Sequence, residues 1–181
     1  MMWFAAKLRS TLLSLVLAAA AFPCAAHPLA GPPTPPDFTA DRFLIGKWSC
    51  EAEAGGRIIG REDAVYDITL AGHWLRLAYT IQPTLAGESA TTTHAYETFD
   101  KSLRKWVYFS VSSDGTYGTV HSDGWQNGRK AYTPPAGERQ TFRLVATKVG
   151  ENAFTQEVLE PQENGAWKST WLLRCKRAPA P

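Results

Sequence analysis

From Gly46 onward the chain consists of short runs in which apolar and polar residues alternate, separated at hairpin distance by turn residues. Alternation with period two puts successive side chains on opposite faces of a strand, and no window beyond Gly46 sustains the i, i+3, i+4 apolar spacing of a helix. The clearest runs are 46–53 (GKWSCEAE), 62–70, 73–82 (HWLRLAYTIQ), 91–99, 104–112 (RKWVYFSVS), 115–125, 129–133, 139–148, 153–160 and 166–176 (AWKSTWLLRCK). Between them lie Ala71-Gly72, Asp114-Gly115, Asn127-Gly128, Gly150 and Asn164-Gly165. Asn-Gly is a strong hairpin signal because both central residues of a type I′ turn need positive φ. About ten short strands with hairpin-length links predict an all-β fold, an up-and-down antiparallel β-barrel closed to remove its edges. The exception comes first. Thr39–Ile45 (TADRFLI) is expected to form a short helical turn, capped by Thr39, across one end of the barrel.

The segment ahead of the strands reads as an export address. The chain carries 19 Lys+Arg and 17 Asp+Glu, and the surplus is Lys7 and Arg9 in residues 1–26, which hold no acid. An apolar stretch, Thr11–Phe22, follows, too short to span a bilayer comfortably, and then Pro23-Cys24-Ala25-Ala26. This predicts a signal peptide over 1–26, cleaved after Ala26; the alternatives are an uncleaved anchor or a lipoprotein acylated at Cys24, which Pro23 and Ala21 fit poorly. Residues 27–36 (HPLAGPPTPP) hold five prolines and form a linker, the barrel domain is expected over 37–177, and 178–181 form a short tail. Without residues 1–26 the charges balance, so nothing in the electrostatics favours nucleic acid or, after cleavage, a membrane. A periplasmic or extracellular protein is expected, as a monomer or weak dimer.

Two cysteines remain in that mature chain, and strand phase makes them informative. Trp48, Cys50 and Ala52 share one face of the first strand; Trp167, Trp171, Leu173 and Cys175 share one face of the last by alternation. If first and last strands pair, Cys50 and Cys175 meet, and in an oxidising compartment a disulfide is expected. Two buried thiols or a metal pair are the alternatives, although thiolate metal sites usually need three or four ligands.

Phe43-Leu44-Ile45-Gly46-Lys47-Trp48 resembles the Gly-x-Trp opening of the calycins, the superfamily of lipocalins and fatty-acid-binding proteins. The stretch 41–176 is similar to secreted bacterial calycin-like domains of unassigned function, through Gly72-His73-Trp74-Leu75, the run His94–Asp100 and the Trp-bearing last strand. The resemblance implies a basic residue of the last strand packed over the first Trp, with Arg174 the nearest match. It departs from true lipocalins in having no Thr-Asp-Tyr signature at the middle hairpin. Glu51–Gly56 also resembles the start of haem-binding nitrobindin-like proteins, but those ligate iron through a histidine near the C-terminus. Here the last histidine is His121, so no haem or other cofactor is expected.

No nucleophile elbow, His-Glu-x-x-His helix, P-loop or dinucleotide fingerprint occurs. No catalytic residue and no metal ligand set is assigned. His121 and Asp123, two apart, are the pair from which a small hydrolase would be built, because an imidazole beside a carboxylate suits general-base chemistry. The more distinctive content is aromatic. Ten strands enclose more space than eight, and aromatic walls with a few hydroxyls suit small apolar ligands. A cavity lined by Tyr79, His94, Tyr96, Tyr108 and Trp171 is the expected ligand site. The alternative is that these aromatics simply fill the barrel, leaving a structural or interaction module of the envelope.

Overall fold

In the computed structural model, residues 34–84 and 87–179 are described. The expected signal peptide over 1–26, the expected linker up to Pro33 and the last two residues of the expected tail lie outside them. The described chain is a closed antiparallel barrel of ten strands, each hydrogen-bonded to its sequence neighbours, with the first and last pairing to complete the ring. The strands are β1 (Gly46–Ala54), β2 (Arg57–Thr69), β3 (Trp74–Pro83), β4 (Thr91–Asp100), β5 (Lys105–Ser112), β6 (Tyr117–Gln126), β7 (Arg129–Thr133), β8 (Arg143–Gly150), β9 (Ala153–Pro161) and β10 (Trp167–Arg177). Among the described residues no helix is long and apolar enough to cross a membrane.

Turn chemistry explains the tight connections. Asn127 (φ 51°) and Gly128 (φ 75°) join β6 to β7 with the positive φ pair that a two-residue hairpin needs. Gly55 and Gly56 (φ 57° and 75°) do the same between β1 and β2. That second turn was not anticipated, and it starts β2 at Arg57 rather than residue 62. Pro134 and Pro135 have the opposite effect. They break the ladder after β7, so β8 begins only at Arg143.

The seam between β1 and β10 places Cys50 opposite Cys175, and the two are joined in a disulfide across a sequence separation of 125. Trp48, Cys50, Ala52, Leu173 and Cys175 are all buried, as their phase requires. Trp167 is different. An irregularity between Ser169 and Trp171 inserts one residue into β10 and inverts the phase before it. Trp171 therefore faces inward, while Trp167 lies against the Arg143 guanidinium, 4.0 Å from ring centroid to Cζ.

One end of the barrel is sealed by a 3-10 helix, Thr39–Leu44. Thr39 does not cap it: Phe38 holds the cap position without a side-chain bond, and the Asp37 carboxylate accepts from the Thr39 N–H at 2.9 Å. Phe38 packs at a tilt against Trp106 and Phe43 edge-to-face against Trp125, at centroid distances of 5.3 and 5.2 Å. Trp48 donates its indole N–H to the Leu44 carbonyl at 2.6 Å. The basic side chain over Trp48 is Arg177 rather than Arg174. Its guanidinium lies 4.5 Å from the ring and donates to the Ile45 and Phe43 carbonyls at 2.8 and 2.5 Å. Arg174 points outward and pairs loosely with Glu53 at 3.7 Å.

Under this seal lies a buried charge cluster. Lys130 Nζ is 3.0 Å from Asp41 Oδ1 and 2.9 Å from Glu97 Oε1, and all three side chains are at most 3% exposed. Trp125 donates to Asp41 at 2.6 Å, Tyr132 donates to Glu97 at 3.2 Å, and the ammonium sits 4.5 Å from the Trp106 ring centroid. One cation is thus shared by two carboxyl groups. Burial raises Glu97 to about 7 against the opposing pull of Lys130, and the nearby Asp41 raises it further.

Candidate functional site

The opposite end of the barrel is open, and inward alternation there builds a cavity. β3 contributes Leu77, Tyr79 and Ile81; β5 contributes Tyr108; β9 and β10 contribute Gln156, Val158 and Trp171 across the barrel. Its volume is about 290 Å³, within reach of a small ligand, and its wall is mostly apolar. β6 widens it further. Gly118 lines the cavity, and a methyl group added at its Cα would meet nothing within 4 Å.

Below, Leu77, Tyr108 and Gln156 separate this space from a void of about 30 Å³ that reaches Glu97 and Tyr132. That void is about large enough for a water molecule. Above, Tyr79, Ile81 and Trp171 are shared with an outer basin of about 370 Å³, on whose rim stand Glu88 and Asp114.

The polar group that stands out in the wall is Glu62 on β2. It lies in phase with buried Ala64 and Tyr66, is 5% exposed, and makes no hydrogen bond or ion pair among the described residues. Burial raises its carboxyl to about 7, with a smaller push from neighbouring Asp63. Burial also raises Tyr79 and, more strongly, Tyr108, so both phenols are neutral hydroxyls at physiological pH.

Three of the five expected ligand residues, Tyr79, Tyr108 and Trp171, are brought together here. His94 and Tyr96 are not. On β4 the inward side chains are Thr93, Ala95 and Glu97, so His94 is exposed, and Tyr96 packs outside against Trp74 with ring centroids 6.4 Å apart. The β4 sequence is polar on both faces, and a buried glutamate and threonine took the places assigned to the aromatic pair. Glu62 was not singled out from sequence, although its alternation with Ala64 and Tyr66 was the available signal.

His121 and Asp123 share one face, as their spacing requires, but it is the outer face. Asp123 is bound there to Lys105 at 2.5 Å, and both residues border a surface groove with Pro134, Pro135 and Arg143. Among the described residues no group of three or more His, Cys, Asp or Glu side chains is placed to hold a metal ion.

No protein-family model matches the chain, and no curated protein matches it with significant similarity.

Proposed function

We propose that the protein is an exported barrel that binds a small, largely apolar molecule in its open-ended cavity without transforming it. The observation that carries this reading is the 290 Å³ cavity walled by Leu77, Ile81, Val158, Tyr79, Tyr108 and Trp171. Apolar contact supplies the driving force for such a ligand, and the few polar groups orient it. The Gly46-x-Trp48 resemblance to calycins supports the same reading, and the Cys50–Cys175 disulfide suits an oxidising compartment such as the periplasm or cell exterior.

Titration with N-phenyl-1-naphthylamine, a neutral aromatic fluorophore, tests it. Saturable probe emission with energy transfer from tryptophan is expected in the wild type. In Gly118→Phe it is expected to vanish, since the new ring occupies the open space beside Gly118 while the fold is retained by circular dichroism. An absence of saturable binding to the wild type, or equal binding to the filled variant, would overturn the proposal.

A further inference from the structure

The charge distribution of the cavity and its rim is one-sided. Glu62 lies in the wall, Glu88 and Asp114 stand at the mouth, and no Lys, Arg or His lines either space among the described residues. A carboxylate ligand would meet no cation there and would be repelled by Glu62. Glu62 itself is oriented inward, buried, and has no hydrogen-bond or ion-pair partner among the described residues. An unpaired buried carboxyl is costly, and the groups that can satisfy it must come from whatever fills the cavity. The surrounding Tyr79, Tyr108 and Trp171 rings present π faces, which attract cations.

Resting on the small-molecule reading above, we propose that the ligand is an amphiphilic amine: an apolar body packed in the cavity, with a protonated nitrogen received by the Glu62 carboxylate. The acidic mouth, Glu88 and Asp114, draws such a cation in. The apolar wall selects against small hydrophilic amines, and the lack of a basic residue selects against fatty acids.

Binding has a proton signature. The free carboxyl of Glu62 is raised to about 7 by burial, so below that pH it carries a proton. An arriving ammonium favours the ionised form and expels it. The other titratable groups near Glu62 are Tyr66, Tyr79 and Tyr108, all raised further above their ordinary value by burial, and Glu97 lies beneath the Tyr108 shelf. Asp63 on β2 points outward.

The test compares octylamine, 1-octanol and octanoate, which share one chain and differ in the head group, by calorimetry at pH 7.5. Octylamine is expected to bind on the order of tenfold tighter than octanol, with octanoate weakest, as a charge-assisted hydrogen bond requires. Glu62→Gln, checked for folding by near-ultraviolet circular dichroism, is expected to remove the octylamine preference and leave octanol unchanged. At pH 6 in buffers of different ionisation enthalpy, the wild type is expected to release a proton with octylamine and none with octanol. Octanol binding as tightly as octylamine, a preference that survives Glu62→Gln, or octylamine binding without proton release overturns the amine assignment. If N-phenyl-1-naphthylamine saturates the cavity in that case, the binding reading stands; if nothing saturates it, both fall.

Discussion

Replacing Glu62 by Gln is expected to stabilise the empty protein, by an amount that grows as pH rises from about 4.5 to about 7. The side chain is 5% exposed and has no partner among the described residues, so its ionised form loses hydration without compensation. Its carboxyl is raised from an ordinary 4.5 to about 7. In this window the folded state holds a proton that the unfolded chain has released, so unfolding stability falls as pH rises through it. At about 1.4 kcal/mol per pH unit, the full effect of this one group is about 3 kcal/mol. Below pH 4.5 both states are protonated and the effect disappears; above pH 7 it is complete. Glu62→Gln should therefore match the wild type at pH 4 and exceed it by up to about 3 kcal/mol at pH 8. Urea unfolding followed by tryptophan emission at pH 4, 6 and 8 measures both profiles. Both proteins carry a further downward slope from Glu97, whose carboxyl is also raised to about 7, so the informative quantity is the difference between the profiles. Parallel curves, or a variant less stable at pH 8, would refute the idea that Glu62 is buried without a partner.

Lys130→Met leaves Asp41 and Glu97 buried without their shared cation, and a loss of about 3–5 kcal/mol is expected in the same urea assay at pH 8. The paired replacement Cys50→Ala with Cys175→Ala opens a loop spanning a sequence separation of 125. The chain-entropy account gives a loss of about 5 kcal/mol at most, read as a lower urea midpoint that matches reduced wild type. Arg177→Ala removes donors to the Phe43 and Ile45 carbonyls and the cover over Trp48, and thermal unfolding should show a loss of about 2–3 kcal/mol. Arg174→Ala, whose side chain is 59% exposed, should change stability by under about 1 kcal/mol.

The barrel was legible because alternation with period two is local: each run declares its own two faces. The same property carried Cys50 and Cys175 to one another, since inward phase in both strands and closure of the ring leave them opposed. Phase also explains the errors. A single inserted residue near Thr170 inverts everything before it, so Trp167 faces outward although its spacing from Trp171 matches the inward set. β4 offered no apolar face to choose, and its inward side is polar because Glu97 meets Lys130 from β7 and Asp41 from the helix. That cluster joins residues 41, 97 and 130, and no short-range pattern marks charges paired across a closed barrel. Arg177 was missed for a simpler reason. The last strand runs to that residue, and even-numbered Arg174 lies on its outward face.

The closure of β10 onto β1 also decides where the described chain enters and leaves the barrel. Pro35 packs beside Gly72 at the sealed floor, and the Ala178 N–H donates to the Lys47 carbonyl at that same end. The described chain thus enters and leaves beside its own seal, on the side away from the cavity mouth. Anything that held the described chain at Thr34 or Pro179 would hold the barrel by its base, with the cavity facing away. The mouth-side loops at 55–56, 113–116 and 162–166 each connect neighbouring strands in the ring, so any of them is a place where the chain could be reopened after its original ends are joined.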